Sequence, residues 1–299
     1  MSAPAPPVHL VDSSVYIFRA WFSLTDGFLD PSGRPTNAVY GFARFLAELL
    51  ETTDTRHIAL AFDESLTSSF RNEIYPDYKA NRDPAPPELK RQFAWCMDLA
   101  RSLGVPVYSD DYYEADDLIA TLACCWKAEG HPVRIVSSDK DLAQLIGDGD
   151  QWWDYSRRRR LDAAGVFGQF GVHPSQIPDF LALTGDPVDN IPGVPGVGPK
   201  TAAPLLGHFG DLDALFDRLE EIAFLKFRGA GSLAARLREH EPAARLARRL
   251  TGLETGVAKV LTDPAVQRTG GNGDALDALL DGLGFGKPLR ERLHKVRLR

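Results

Sequence analysis

This chain predicts an α/β fold with a mostly parallel sheet flanked by helices, followed by a helical region. Three observations predict it. Strand and helix signals alternate over the first two thirds, several strand-like runs end in Asp, and the β signal fades from about residue 175.

Val8-His9-Leu10-Val11 reads as a strand ending at Asp12, and a helix-like stretch follows. Residues 36–51 place apolar side chains at helical spacing. A second strand, Ile58-Ala59-Leu60-Ala61-Phe62, ends at Asp63. A helix is expected from Pro87, a favoured first-turn residue, to about Leu103. Val105–Tyr108 reads as a short strand, 114–128 as a helix, 132–138 as a strand and 140–146 as a short helix. Residues 200–250 read as short helical segments divided by Gly and Pro, so a boundary is placed near 170–175. The tail from Gly270 has a Gly-Gly-Asn-Gly turn cluster and a weakly amphipathic helix pattern with a basic end.

The 299 residues suffice for one large domain or two modest ones. No apolar run approaches the roughly 18 residues of a membrane span, and Met1–Pro7 lacks the form of a signal peptide. Cys96, Cys124 and Cys125 have no metal spacing, and buried thiols in a reducing cytoplasm are expected. The net charge of −7 argues at first against nucleic acid. Setting aside nine clustered carboxylates turns the balance slightly basic, so acidic site and basic phosphate contacts can coexist.

Those nine are Asp12, Asp63, Glu114, Asp116, Asp117, Asp139, Asp141, Asp186 and Asp189. An Asp closing a strand projects at the carboxyl edge of the sheet, where open α/β folds bind ligands. Two unit charges at ~4 Å repel by about 1 kcal/mol in water and about 4 kcal/mol at an effective dielectric near 20. Converging acids therefore need protons or hard divalent cations with oxygen ligands. Helix capping accounts for one acid of Glu114-Ala115-Asp116-Asp117 but not for three. Asp139 could cap a helix, and Asp186–Asn190 has the composition of a turn. It is the joint occurrence that points to a site.

Pro192-Gly193-Val194-Pro195-Gly196-Val197-Gly198-Pro199-Lys200-Thr201 has the form of a helix–hairpin–helix clamp. Its glycines allow close backbone approach, the helix start offers free amides to a phosphate, and Lys200 adds charge, while a glycine-rich loop by itself could be just a turn. Between Phe70 and Arg82, Arg71, Tyr75, Tyr78, Lys79 and Arg82 interleave cations with aromatics, as suits a single strand. A helix from Pro76 would put Lys79 and Arg82 on one face. A solvated surface loop accounts for these residues equally well. Arg157–Arg160 reads as a solvated turn. There is no serine-nucleophile constellation, no Walker loop and no dinucleotide fingerprint.

Together these motifs resemble the 5′ nuclease family: the 5′–3′ exonuclease domain of bacterial DNA polymerase I, its free-standing relatives, and flap endonucleases. The resemblance runs from about Val8 to at least Leu250, through Leu-Val-Asp12, Ala-Phe-Asp63, Phe-Arg71, Tyr-Lys79, Tyr-Glu-Ala-Asp-Asp117, Ser-Asp-Lys-Asp141, Gly-Asp-Pro-Val-Asp-Asn190 and Pro-Gly-Val-Gly-Pro-Lys200.

It implies a PIN-like α/β nuclease domain over 1–172, with an arch at about 65–92, and a helical region with an H3TH-type clamp over 173–299. It implies a free-standing 5′–3′ exonuclease and 5′-flap endonuclease using two Mg²⁺ ions, with Mn²⁺ as a substitute. Asp12, Asp63, Glu114 and Asp116 would mainly serve one ion. Asp139, Asp141, Asp186 and Asp189 would mainly serve the other, with Asp117 acting through waters. Lys79 and Arg82 would face the scissile phosphate, with Arg71 nearby. Tyr75, Tyr78, Gly196, Gly198, Lys200 and Thr201 would contact DNA, and Val194 and Val197 would offer carbonyls to a K⁺. Expected partners are DNA with 5′ flaps, 5′ overhangs or RNA primers, in replication or repair, for a cytoplasmic monomer. The alternatives are a PIN-like ribonuclease and a non-catalytic junction-binding module.

Overall fold

A computed structural model describes residues 5–24, 27–64, 69–225 and 230–298. Part of the expected leader, part of the expected arch (65–68) and Arg299 lie outside the described residues.

Six strands form one sheet: β1 (Val8–Asp12), β2 (Ile58–Asp63), β3 (Val107–Asp110), β4 (Val133–Val136), β5 (Gln151–Asp154) and β6 (Arg159–Leu161). Their order is β3-β2-β1-β4-β5-β6, parallel except for the antiparallel β5–β6 pair. The chain runs outward from β1 to β3 and then returns to β4 on the other side of β1. That reversal opens a crevice at the carboxyl ends of β1 and β4, where such sheets bind ligands.

Thirteen α-helices are described: α1 (Ser13–Ser23), α2 (Asn37–Thr53), α3 (Phe70–Ile74), α4 (Pro87–Ser102), α5 (Ala115–Ala128), α6 (Ala163–Phe170), α7 (Ile177–Thr184), α8 (Pro199–Phe209), α9 (Leu212–Asp217), α10 (Ala230–Thr251), α11 (Ala258–Thr262), α12 (Gly273–Leu283) and α13 (Lys287–Arg297). A 3-10 turn spans Asp141–Leu145, and two more cover Pro174–Gln176 and Leu219–Phe224.

Alternation along the strands divides the core into two layers. Ala59 and Ala61 of β2 face one layer, where their small side chains leave room for α5, and Ile58, Leu60 and Phe62 face the other. The first layer continues without a break through α7, α8 and α10, so the helical region shares its core with the sheet. The second holds α1, α2 and α4 and is closed by Leu276 and Leu280 of α12 and Leu293 and Val296 of α13.

Four expectations change. The segment after Ile74 forms turns rather than a helix from Pro76, and Lys79 sits at φ 56°. Residues 230–251 form one 22-residue helix despite Pro242. An internal proline costs about 3 kcal/mol, and burial of Leu233, Leu237, Ala244, Ala247 and Leu250 offsets it. Arg157 and Arg158 lie in a turn, but Arg159 and Arg160 belong to β6, with Arg160 stacked 3.8 Å from the Trp153 ring centroid. Only Cys96 of the three thiols is buried; Cys125 is half-buried and Cys124 exposed. No helix among the described residues is long and apolar enough to cross a membrane.

Candidate metal and phosphate site

The strands deliver the acids. Asp12 closes β1 and caps α1, accepting from the Val15 amide and, at 2.7 Å, from the Ser137 hydroxyl that follows β4. Asp63 closes β2 and accepts from the Ala115 amide at the start of α5. With Glu114, Asp116 and Asp139, these two carboxylates line one cavity of about 600 Å³. Lys79, Arg82, Arg19 and Arg157 share its wall.

Asp141, Asp186 and Asp189 form a second group, with one oxygen from each within 4.8 Å of the others. Asp139 links the groups: it lines the cavity and accepts from the Asp141 amide at 3.0 Å. Five carboxylates thus line the cavity and three stand beside it.

The charge problem is real. Burial, then Asp63, pushes the Asp12 carboxyl up to about 7. Burial and the neighbouring Asp139, Asp12 and Asp63 hold Asp116 well above the carboxylate range. Asp141 is raised likewise by burial and Asp139, and Asp139 by burial and then Asp189, against the Asp141 amide. Glu114 goes the other way: burial raises it, but Lys79 at 2.6 Å and Arg71 at 3.0 Å outweigh burial and lower it.

A hard cation fits this donor set. Every candidate ligand is a carboxylate oxygen. Asp141 Oδ1 is buried without a hydrogen bond; the nearest cation, Lys140 Nζ, stands 3.7 Å away while bonding Asp186 at 2.5 Å. A buried oxygen left bare is costly unless something binds it.

The clamp residues join the site by a different geometry. The Lys79 amide donates to the Asp189 carbonyl, and the Asn190 side chain donates to the Asp77 carbonyl, so the 76–82 turn is docked on the Asp186–Asp189 loop. Lys79 Nζ bonds Glu114 and Arg82 bonds Asp189 at 2.5 Å. Both cations thus stand on the cavity wall, held by acids.

Three expected contacts are corrected. Arg71 is 1% exposed. It makes a two-pronged ion pair with Asp117 and donates to the Leu250 and Gly252 carbonyls, so it cannot reach DNA. Asp117 is fully buried on that arginine and on the Glu114 and Glu254 amides. It positions Glu114 and does not face the cavity. Tyr78 is buried with its hydroxyl on Glu114 and Asp189, so its ring offers no stacking face. Tyr75 is half-buried against the core.

The glycine hairpin sits beside the second group. Val194 and Val197 are buried, Gly198 and Lys200 are exposed, and Thr201 is half-buried in the first turn of α8. Two features escaped the sequence reading. Gly185, at φ 76°, packs on Gly193 so closely that a Cβ would come within 2.5 Å of the Gly193 nitrogen. With the Asp186–Ile191 bridge, this sets the acidic loop against the hairpin. Arg236 of α10 fills the space beside Gly196 and donates to the Pro195 carbonyl. No spacing rule connects a residue in α10 to that turn.

Residues 7–171 match the 5′–3′ exonuclease N-terminal resolvase-like domain, and residues 172–270 match the 5′–3′ exonuclease C-terminal SAM fold. A 5′–3′ exonuclease of Aquifex aeolicus is 37% identical over 214 residues, covering 72% of this chain and 73% of that protein. The DNA polymerase I of Mycobacterium leprae is 38% identical over 97% of this chain, and that of Rhizobium leguminosarum 40% over 92%. The chain spans 32% and 27% of those two polymerases.

Among solved structures, the T5 D15 protein co-crystallised with metal ions superposes with a TM-score of 0.67 at 20% identity, covering 97% of this chain and 99% of that one. The catalytic core of Rad2 in complex with DNA substrate gives 0.63 at 16%, covering 98% and 91%. These two likenesses concern the fold. By the matched domains and by the Aquifex relative, the chain belongs to the 5′–3′ exonuclease family.

Proposed function

We propose that the chain is a structure-selective 5′–3′ exonuclease and 5′-flap endonuclease that hydrolyses DNA phosphodiesters with two divalent ions, Mg²⁺ or Mn²⁺. The observation that carries this reading is a cavity at the sheet's switch point lined by five carboxylates together with Lys79 and Arg82, with three more carboxylates grouped beside it. Asp12, Asp63, Glu114 and Asp116 would hold one ion, and Asp139, Asp141, Asp186 and Asp189 would hold the other. When bound, the ions activate a water and neutralise charge on the phosphate.

Lys79 and Arg82 turn from Glu114 and Asp189 to the scissile phosphate and stabilise its developing charge. Asp117 and Arg71 fix the start of α5 and so the direction of Glu114. The backbone at Gly196 and Gly198, with Lys200 and Thr201, grips duplex phosphates; the Val194 and Val197 carbonyls would be the ligands of a K⁺, although that of Val194 already accepts from the Val197 amide. The division falls near residue 172, and the substrates are DNA with 5′ flaps, 5′ overhangs or RNA primers, in replication or repair.

The test is a labelled 5′-flap duplex incubated with Mg²⁺, with Mn²⁺ or with chelator. Metal-dependent products mapping at the junction support the proposal. Tight binding with no products would make the chain a junction-binding module, and preferential cleavage of RNA would make it a ribonuclease.

A further inference from the structure

A second charged cavity lies at the opposite edge of the sheet. Arg56 precedes β2, whose far end carries Asp63, and at ~3.3 Å per residue the two are roughly 20 Å apart along the strand. Around Arg56, a cavity of about 210 Å³ is lined by Arg268, Thr269, Gly270, Arg297 and Leu298. Three arginines from three separate segments meet there: the connector before β2, the strap between α11 and α12, and the last turn of α13.

Among the described residues, no carboxylate stands within ion-pair distance of any of the three, and none lines the cavity. Arg268 is held by backbone: its guanidinium donates to the Leu103 and Val296 carbonyls, and its amide donates to the Arg56 carbonyl. Arg297 donates to the Gly270 carbonyl at 2.9 Å, while its Nε is buried with no hydrogen-bond partner. Burial and then the charge of Arg56 lower the Arg268 pKa, against a pull from Asp54, which does not line the cavity. Converging guanidinium groups repel, and a buried unpaired donor is costly. An oxyanion between them would relieve the repulsion, because guanidinium forks match phosphate geometry.

We propose that Arg56, Arg268 and Arg297 form a binding site for a phosphate oxyanion, remote from the acidic cavity. The volume admits a phosphate group. The ligand is inorganic phosphate, or a small phosphate monoester. Bound there, it would tie the α13 end and the 263–272 strap to the connector before β2.

The test is calorimetry on the full chain in chelator, titrating inorganic phosphate against potassium chloride of matched ionic strength. One saturable site is expected with phosphate and none with chloride. Arg56→Gln and Arg297→Gln should each weaken it by about tenfold or more, the loss of one charge-assisted contact. Arg268 is left intact because it anchors the strap. Arg56 is exposed, so its variant tests the site even if Arg297→Gln fails to fold. AMP binding at least as well as phosphate assigns a monoester ligand, and binding of phosphate alone assigns the free anion. Absence of a saturable site, or unchanged affinity in Arg56→Gln, would overturn the proposal.

Discussion

At the residue scale, Arg71 and Asp117 were expected to act on DNA directly and through waters. Both stand beside the acids and cations of the cavity, yet they are buried on each other. Removing one partner strands a charge in the interior, which costs about 3–5 kcal/mol. Arg71→Ala or Asp117→Ala should lower the unfolding free energy by about that much, measured by denaturant titration. A drop within ordinary surface scatter would mean that the pair does not brace the fold. Nothing in sequence separates these two from Lys79 or Asp116, because burial depends on where the end of α10 returns.

His9 offers a residue-scale test by pH. Burial, then Arg134, lowers its pKa from 6.5 to about 4. The unfolded chain then binds a proton that the folded chain refuses. His9 contributes its stability in full above 6.5 and loses it as pH falls toward 4, by about 3 kcal/mol in all. Other groups titrate in this window, so the measure is the difference in slope between the wild type and His9→Leu. The wild type should lose stability faster between pH 6.5 and 4, and equal slopes would contradict the assignment.

At the element scale, the parallel strands and their terminal acids were legible because apolar runs ending in Asp need only local pattern. The β5–β6 pair was not legible: Gln151-Trp152-Trp153-Asp154 and Arg159-Arg160-Leu161 lack the β-branched apolar run of β4, and Arg159–Arg160 reads as a solvated turn. The 76–82 segment was half legible. Its residues reach the cavity, but through a turn docked on the 186–190 loop and not through a helix face. The Gly185–Gly193 contact holds that loop in place. Gly185→Ala puts a Cβ on backbone at a positive φ, a strain of about 1–3 kcal/mol. It should reduce cleavage of a flap substrate more than it reduces melting temperature would suggest, because Asp186 and Asp189 shift together. Wild-type cleavage in that variant would mean that the loop's position is not set there.

At the scale of the whole molecule, one core runs from the sheet through α7, α8 and α10, and α12 and α13 close its other face. The last strand ends at Leu161, and the helices that follow share a core with the sheet. The return of the C-terminal helices to α2 and α4 had no sequence signal beyond weak amphipathicity, since which face they cover is set by tertiary packing. If the proposed clamp grips phosphates, duplex affinity should fall steeply as salt rises, and Lys200→Ala should reduce the slope of log affinity against log salt by about one. An unchanged slope would remove Lys200 from the interface.

The central claim is that the eight carboxylates hold the ions that cleave a 5′ flap. The most direct measurement compares wild type, Asp139→Ala and Asp141→Ala on a labelled 5′-flap duplex in Mg²⁺. Each substitution should cut the single-turnover rate by more than the ~10–100-fold usual for a group outside the metal's own shell, with duplex binding preserved. Normal cleavage by either variant, or cleavage by the wild type in chelator, would contradict the account.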